Sequence, residues 1–173
     1  MALNLKVNLR ENSYKIIIGQ HILQNLGGEL KSLNFSGEAL VITHPILKKL
    51  YGKTLEKSLV SQGFGVKFFE VAEGEKSKSA KTYVELLEKI ARYDVNKNIF
   101  VVAFCGGVVG DLSGFVAATY RRGISYVQVP TTLLAQIDSA IGGKTAIDLP
   151  VGKNLVGAFY QPKLVYSDVA VLS

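Results

Sequence analysis

Three groups of glycines in residues 104–162 are each followed within a few positions by a charged side chain. The glycines are Gly106, Gly107 and Gly110, then Gly142 and Gly143, then Gly152, and the charged residues are Asp111, Lys144 and Lys153. Because glycine has no Cβ, its backbone can approach a bound molecule closely. The pattern is typical of a backbone that contacts an anionic ligand and then supplies polar groups to it.

The first group, at residues 105–111, follows the most hydrophobic run of the sequence, residues 98–104, and opens a predicted helix. A glycine turn at a helix N-terminus exposes N–H groups and a partial positive charge to a phosphate. The adjacent pair Gly106-Gly107 does not fit the dinucleotide motif GxGxxG. A tight turn that packs a helix onto a sheet therefore stays an alternative, and Asp111 is either a helix-start carboxylate or a ligand contact.

The second group, Gly142-Gly143-Lys144-Thr145, is not a P-loop, because Asp138 stands where that motif requires glycine. Lys144 follows Asp138 by six residues, so an ammonium and a carboxylate could still share one pocket. A surface turn is the alternative.

Two further charged segments allow both a structural and a functional interpretation. Residues 73–78 form a charged loop, in which Ser77 could cap the following helix, or which could contact a ligand. Arg121 and Arg122 close a predicted helix, where cations suit the dipole, but either could contact a phosphate.

Metal ligands are sparse in this sequence. His21 and His44 stand far apart, with no second ligand at metal spacing, and Cys105 is the only cysteine. We therefore expect no metal site formed by this chain.

Hydrophobic periodicity predicts alternating strands and helices. Residues 3–9 and 14–18 read as an antiparallel hairpin, and residues 21–31 as a helix that Gly27-Gly28 could end early. Strands are predicted at 39–43, 65–71, 98–104 and 126–129, and helices at 46–61, 77–93 and 112–120. This alternation predicts an α/β, Rossmann-like, doubly wound and mostly parallel sheet with helices on both faces and an N-terminal antiparallel hairpin. Ligands bind such sheets beyond the carboxyl ends of the strands, here at loops 43–45, 71–78, 105–111 and 130–132.

Composition narrows the possible partners. A hydrophobic content of 48% is enough for a core, and a net charge of +6 is compatible with an anionic partner. The basic residues are dispersed and tryptophan is absent, which argues against nucleic acid as a partner. No apolar run approaches the roughly 18 residues of a membrane span, and no signal peptide is evident. With a single cysteine, these features predict a cytoplasmic protein without a membrane partner.

Several motifs together resemble the 3-dehydroquinate synthase family of sugar-phosphate cyclases. They are residues 106–111 (GGVVGD), 120–123 (YRRG), 129–139 (VPTTLLAQIDS), 142–146 (GGKTA), 152–154 (GKN) and 159–162 (FYQP). The resemblance implies an enzyme of the shikimate pathway of aromatic amino-acid biosynthesis, a phosphate-eliminating carbon–oxygen lyase. It converts 3-deoxy-D-arabino-heptulosonate 7-phosphate, a phosphorylated seven-carbon keto acid, to 3-dehydroquinate and phosphate. It uses NAD, which is regenerated in each turnover, and a divalent metal, zinc or cobalt.

The resemblance also implies roles for individual residues. The cofactor contacts it implies are Glu73, Gly74, Glu75, Lys76, Ser77, Lys78, Gly106, Gly107, Val108, Val109, Gly110, Asp111, Thr131, Thr132, Lys144 and Lys153. The catalytic residues it implies are Asp138, Lys144, Lys153, Asn154 and Arg122, with Arg122 reaching a substrate phosphate across the interface of a homodimer. Lysines and an arginine suit a phosphate and a carboxylate, and Asp138 can accept a hydrogen bond from a hydroxyl.

The sequence departs from the family pattern at several points. Cys105 stands where a third glycine is common, and His44 stands where an acidic or amide residue is frequent near the adenosine half of the cofactor. The family's metal ligands, one glutamate and two histidines, lie in a helical second domain that would begin to supply them about a dozen residues after Ser173. Residues 1–173 are therefore interpreted as the NAD-binding N-terminal domain, without the metal-binding domain and inactive by itself.

Two alternatives remain open from the sequence. One is a sister sugar-phosphate cyclase similar to 2-deoxy-scyllo-inosose synthase, which applies the same cofactor chemistry to another substrate. The other is a non-catalytic nucleotide-binding module or a metal-dependent alcohol dehydrogenase of the glycerol dehydrogenase type. Arg122, Lys144, Lys153 and Asn154 argue against the latter, because a small neutral alcohol needs few groups directed at phosphate and carboxylate.

Overall fold

A computed structural model describes residues 2–95 and 97–172 as a seven-stranded sheet flanked by helices, with a separate two-stranded hairpin. The strands are β1 (Leu3–Val7), β2 (Tyr14–Gly19), β3 (Glu38–Thr43), β4 (Gly65–Glu70), β5 (Ile99–Cys105), β6 (Tyr126–Pro130), β7 (Lys144–Leu149), β8 (Gly152–Phe159) and β9 (Leu164–Asp168). The helices are α1 (Leu26–Ser32), α2 (Pro45–Val60), α3 (Ala80–Tyr93) and α4 (Gly107–Thr119).

The large sheet has the order β1-β2-β9-β6-β5-β3-β4, and only the β1–β2 pair is antiparallel. Right-handed crossovers in this order place α1 and α2 on one face and α3 and α4 on the other, and the helices contact each other in those pairs. The connections leave β3 and β5 in opposite directions, so the sheet has its topological switch point between these strands. The predicted Rossmann-like fold with an N-terminal hairpin is confirmed.

Strands β3 and β5 carry the core of the sheet. β5 is buried along its whole length, and so is β3 after Glu38, because helices cover both faces. Their continuous apolar runs predict this burial, since a strand covered on both faces has no need of alternation.

No helix of the described residues is long and apolar enough to cross a membrane.

Gly27-Gly28, which could have ended the predicted helix early, does not end it. Both glycines lie inside α1, which follows a 3₁₀ turn at Leu23–Asn25. A Cβ at Gly27 would stand 2.1 Å from the backbone oxygen of Ser58 in α2, and the Gly27 N–H donates to Ser58 Oγ at 2.9 Å. The glycine allows α1 and α2 to pack at close range, and this packing outweighs its low helix propensity.

Two predicted helix starts also move. The helix predicted at 77–93 begins at Ala80, and Ser79 caps it by accepting a hydrogen bond from the Thr82 N–H at 3.2 Å. Ser77 is not the cap, because it lies in a 3₁₀ turn and its hydroxyl donates to Gly74 O. The helix predicted at 112–120 is α4, which begins five positions earlier, so the glycine-rich segment forms its first turn.

Residues 144–168 contain three strands that periodicity did not predict. β7 and β8 form an antiparallel hairpin, and β9 pairs in parallel with β2 and β6 inside the sheet. The hairpin packs on α4 at Gly114, where a Cβ would stand 2.4 Å from Thr145 Cγ2. This packing places the hairpin beside α4, and the N-terminus of α4 forms part of the candidate site.

Candidate functional site

The start of α4 lies at the carboxyl end of β5, beside the switch point of the sheet. Gly106 is the N-cap in an extended conformation, and no side chain caps the helix. The first N–H groups of a helix have no partner within it, and its dipole makes this end partly positive. A start without a side-chain cap therefore offers N–H donors to a phosphate.

Two side chains close against this helix start. A Cβ at Gly107 would stand 2.6 Å from Ser139 Oγ, and one at Gly106 would stand 3.0 Å from Thr132 Cγ2. Any larger residue at position 107 would displace Ser139. The glycines are thus needed for the approach of the segment after β6, which carries the predicted contact residues Thr131 and Thr132.

Three buried polar atoms at this edge, Ser139 Oγ, Thr43 Oγ1 and His44 Nδ1, have no hydrogen-bond partner among the residues that the structure describes. Thr43 ends β3 and His44 is the N-cap of α2, on the strand next to β5. Buried polar atoms are nearly always hydrogen-bonded, so unpartnered ones mark a place where a ligand could supply the bond. Together with the uncapped helix start, they fit a dinucleotide lying across the switch point.

Lys78 joins the elements around this edge. Its side chain is 5% exposed, and its ammonium donates hydrogen bonds to Asp111 in α4 and to Asn154 Oδ1 in β8. Its backbone also holds the hairpin, because Lys78 O accepts from the Asp148 N–H at 2.7 Å. One buried lysine thereby fixes the positions of two predicted site residues, Asp111 and Asn154.

Opposing effects act on the carboxyl group of Asp111. Burial raises its pKa, the hydrogen bond and charge of Lys78 lower it, and the nearby charges of Glu75 and Asp148 raise it, with a net shift upward. The buried ammonium therefore does not fully offset desolvation. Asp111 is a carboxylate that gains from a further hydrogen-bond donor, such as a hydroxyl of a bound molecule.

Asn154 stands in a left-handed conformation with φ of 57°. Its N–H donates to Asp148 Oδ1 at 2.8 Å, while its side-chain oxygen accepts from Lys78. Next to it, the Lys153 ammonium lies 3.2 Å from Glu75 Oε1. The glycine-lysine-asparagine segment thus connects the 73–78 loop to the hairpin.

A groove of about 390 Å³ opens beside this cluster. It is lined by Asp111, Lys144, Thr145, Ala146, Asn154, Leu155, Gly157, Ala158 and Phe159. A groove lined by a lysine, a carboxylate and an amide together with apolar side chains can bind a polar ring that carries anionic groups. The structure therefore brings Lys78, Asp111, Lys144, Lys153 and Asn154 together.

Other predicted residues lie apart from this groove. Glu73, Lys76 and Ser77 line a separate groove between the end of β4 and α3. Asp138 is exposed in a π-helical turn at Ala135–Ser139, and Arg122 is exposed in a turn after α4. Gly74 has φ of 97°, and Val108 and Val109 lie in the first turn of α4.

Sequence reasoning missed two residues of the site, Asp148 and Ser139. Asp148 orients Asn154, and Ser139 faces the start of α4. Asp148 lies outside the motifs, and Ser139 ends the 129–139 motif without any role assigned to it, so only the fold brings the two side chains to the site. Within residues 2–95 and 97–172, no group of three His, Cys, Asp or Glu side chains could hold a metal ion, so the described residues do not fit a metal.

Comparisons with known proteins identify the family of this chain. The sequence profile described as 3-dehydroquinate synthase N-terminal matches residues 68–173. A 3-dehydroquinate synthase of Clostridium kluyveri is 48% identical over 168 residues, which are 97% of this chain and 47% of that protein. The chain thus spans about half the length of the curated relatives it matches.

Solved structures of related cyclases share the fold. A 2-deoxy-scyllo-inosose synthase, complexed with carbaglucose-6-phosphate, NAD⁺ and Co²⁺, superposes with a TM-score of 0.89 at 26% identity, over 98% of this chain and 47% of that one. A 2-epi-5-epi-valiolone synthase from Streptomyces hygroscopicus, with NAD⁺ and Zn²⁺ bound, gives a TM-score of 0.79 at 26% identity, over 95% and 45%. The match of the family profile over more than half of the chain shows that this chain belongs to the 3-dehydroquinate synthase family.

Proposed function

We propose that the protein acts as a 3-dehydroquinate synthase and that residues 1–173 form its NAD-binding N-terminal domain. The observation that carries the proposal is the cluster around Lys78, which brings Asp111 and Asn154 together beside the groove that contains Lys144. The substrate would be the phosphorylated seven-carbon keto acid, 3-deoxy-D-arabino-heptulosonate 7-phosphate. In this reaction NAD supplies the reversible oxidation of a ring hydroxyl.

The residues of this chain would bind and orient the two molecules. The first turn of α4 and Thr131-Thr132 would hold the pyrophosphate and ribose side of the cofactor, with the orphaned groups of Thr43, His44 and Ser139 nearby. Asp111 would accept a hydrogen bond from a hydroxyl, since its carboxylate is only partly compensated by Lys78.

The lysines would recognise the anionic groups of the substrate. Lys144 and Lys153 are exposed beside the groove, and a cation there stabilises a phosphate or a carboxylate through charge-assisted hydrogen bonds. Asn154, held from both sides by Lys78 and Asp148, would orient a substrate hydroxyl. Asp138, in the exposed turn at Ala135–Ser139, would accept a hydrogen bond from a hydroxyl of a bound molecule.

We also propose a zinc- or cobalt-dependent homodimer that works in the cytoplasm, with Arg122 contributing to the site of its partner. The metal would be held outside residues 2–95 and 97–172, because these offer no suitable group of ligands. The cyclases crystallised with NAD⁺ and Co²⁺ or Zn²⁺ support the choice of cofactor and metals.

The direct test is phosphate release from the seven-carbon substrate by the intact protein. We expect turnover that needs only catalytic amounts of NAD⁺. Lys153→Glu should lower turnover by about two orders of magnitude, because it places a negative charge beside an anionic substrate. Lys163→Glu, the same change at an exposed position away from the groove, serves as the control. Full turnover of the Lys153→Glu variant would contradict the assigned site.

A second candidate is a sister cyclase with another sugar phosphate as substrate. It is favoured by the similarity of the fold to 2-deoxy-scyllo-inosose synthase. Comparing turnover of glucose 6-phosphate and of the seven-carbon substrate by the intact protein separates the two. Release of phosphate from glucose 6-phosphate alone would replace our proposal by this one.

A further inference from the structure

Three successive residues after α4 have positive φ angles. They are Arg121 with φ of 50°, Arg122 with φ of 64° and Gly123 with φ of 126°. The left-handed region is unfavourable for residues with a Cβ, and it persists only where the surrounding structure enforces it. Two adjacent arginines in this region therefore require an explanation.

A buried carboxylate holds the first of these arginines. Asp94, at the end of α3, is 1% exposed, and its Oδ2 lies 2.9 Å from Arg121 Nη2 and accepts from the Tyr120 hydroxyl at 2.8 Å. Arg121 also donates to the backbone oxygens of Lys97 and Asp94, each at 3.2 Å. Burial of the Tyr120 hydroxyl raises its pKa, and the hydrogen bond to Asp94 raises it further.

The other side of the turn is held by the end of the hairpin. The Tyr160 hydroxyl donates to Ile124 O at 3.0 Å, and it would stand 3.3 Å from a Cβ at Gly123. Tyr160 stacks on Tyr126 with ring centroids 5.6 Å apart. The turn is thus fixed from α3 and from the segment after β8, so its backbone has little freedom.

Arg122 behaves differently from its neighbour. It is exposed, and within residues 2–95 and 97–172 it has no hydrogen-bond or ion-pair partner. Glycine at this position would relieve the backbone strain, and a structural tie between α3 and α4 needs only Arg121. A cationic side chain at a strained, rigidly held and unpartnered position is typical of a group presented to an anion.

We propose that Asp94, Tyr120 and Arg121 are positioning residues that present Arg122 to the phosphate of the substrate. The inference rests on the proposed function, in which Arg122 is the residue that contacts this phosphate. The guanidinium of Arg121 is paired with the buried carboxylate of Asp94, and this pair fixes the backbone of the turn. Arg122 is preorganised, so little conformational freedom is lost when it binds.

A double-mutant cycle in the intact protein tests this coupling. The readouts are KM for the phosphorylated substrate, the Kd of inorganic phosphate and the Kd of NAD⁺. We expect Arg122→Ala to weaken phosphate binding about 10- to 100-fold and Arg121→Ala to weaken it about tenfold. The double variant should bind phosphate as Arg122→Ala alone does, and the Kd of NAD⁺ should stay unchanged in all three.

Two milder variants keep the test informative if Arg121→Ala does not fold. Tyr120→Phe removes one hydrogen bond to Asp94, and Arg121→Lys keeps the charge while losing the fork of donors. Both should raise the KM of the substrate, with Arg121→Lys closer to the parent protein than Arg121→Ala. Arg92→Ala, at an exposed ion pair in α3, is the control and should change nothing.

The outcomes separate the inference from the proposed function. Additive effects of Arg121→Ala and Arg122→Ala, or a parallel loss of NAD⁺ affinity, would show a structural role only and overturn the inference. Unchanged phosphate binding by Arg122→Ala, in a protein that still turns over the seven-carbon substrate, would also overturn it. A parent protein that neither binds NAD⁺ nor releases phosphate from that substrate would overturn the proposed function as well.

Discussion

At the scale of single residues, Lys78 is the side chain on which the candidate site depends. It is buried and holds both Asp111 and Asn154. Removing one partner of a buried ion pair costs about 3–5 kcal/mol, because the other charge is left uncompensated. We expect Lys78→Met to lower the free energy of unfolding by about 2–4 kcal/mol, measured by urea denaturation at neutral pH.

Lys81→Met in α3 is the matched control, since Lys81 is exposed and lies 4.0 Å from Glu85. An exposed pair of this kind contributes about 0.5 kcal/mol or less. Adding Asp111→Asn to Lys78→Met should recover part of the loss, because the uncompensated carboxylate is then gone. Equal effects of the two lysine substitutions would contradict the assigned role of Lys78.

Glu38 lies at the end of β3 opposite the candidate site, and it makes the free energy of unfolding depend on pH. Hydrogen bonds from the Tyr93 hydroxyl and from Lys97, whose ammonium lies 2.9 Å away, lower the pKa of Glu38 from its ordinary 4.5. An acid with a lowered pKa in the folded state stabilises the fold above its unfolded pKa, and this contribution is lost as the pH falls through the folded pKa.

We therefore expect Glu38→Gln to lower the free energy of unfolding at pH 7 and to lower it less at pH 3. Urea denaturation at both pH values measures the difference. Glu56→Gln serves as the control, because Glu56 is exposed and has no ion pair in the described part of the chain. A Glu38→Gln effect that does not change with pH would contradict this account.

At the scale of elements, the neighbouring glycines of α1 predict opposite effects. A Cβ at Gly27 would meet the backbone of Ser58 at 2.1 Å, whereas a Cβ at Gly28 would have nothing within 4 Å. We expect Gly27→Ala to destabilise the fold by about 1–3 kcal/mol through overpacking. Gly28→Ala should stabilise it by about 0.5–1 kcal/mol, because alanine favours the helix. Thermal unfolding of both variants decides, and a stabilising Gly27→Ala would contradict the α1–α2 packing.

Sequence periodicity predicted those strands and helices whose pattern of apolar residues is visible within one short window of the sequence. β3 and β5 are continuous apolar runs, and α2 has helical spacing with Pro45 at its first turn, so each is visible in its own window. β9 is a five-residue strand whose partners are β2 and β6, and β8 is largely exposed, so no local pattern marks them. The early start of α4 was missed because glycines disfavour helices unless tertiary packing requires them.

The site was predicted residue by residue, but its contacts were not. Lys78 lies 33 positions from Asp111 and 76 from Asn154, so no spacing could pair them. The resemblance to the family indicated which residue types matter, whereas only the fold shows that Arg121 is engaged by Asp94 and Arg122 is not. Adjacent and chemically identical side chains acquire different roles because one of them meets a buried carboxylate 27 positions away.

At the scale of the whole molecule, exposed apolar side chains flank the candidate site. Leu133, Leu134 and Ile137 follow the carboxyl end of β6, and Leu155 and Phe159 lie on β8 beside the groove, each at least 60% exposed. Exposed apolar clusters of this kind favour association. We expect the 173-residue chain by itself to self-associate as its concentration rises, which sedimentation velocity would detect as an increasing mass.

Substituting the two most exposed side chains of these segments tests where the association occurs. Ile137→Ser with Phe159→Ser should raise the concentration at which the chain associates by about a thousandfold or more. Together they remove roughly 200 Å² of apolar surface, about 5 kcal/mol at about 25 cal/mol per Å², and every 1.4 kcal/mol or so is a factor of ten. Val60→Ser on α2, at an exposed apolar position of another face, should leave it unchanged. Two results would contradict this account: a chain that stays monomeric at high concentration, or a larger effect of Val60→Ser than of the double substitution. Either would show that the apolar side chains beside the candidate site do not mediate the association.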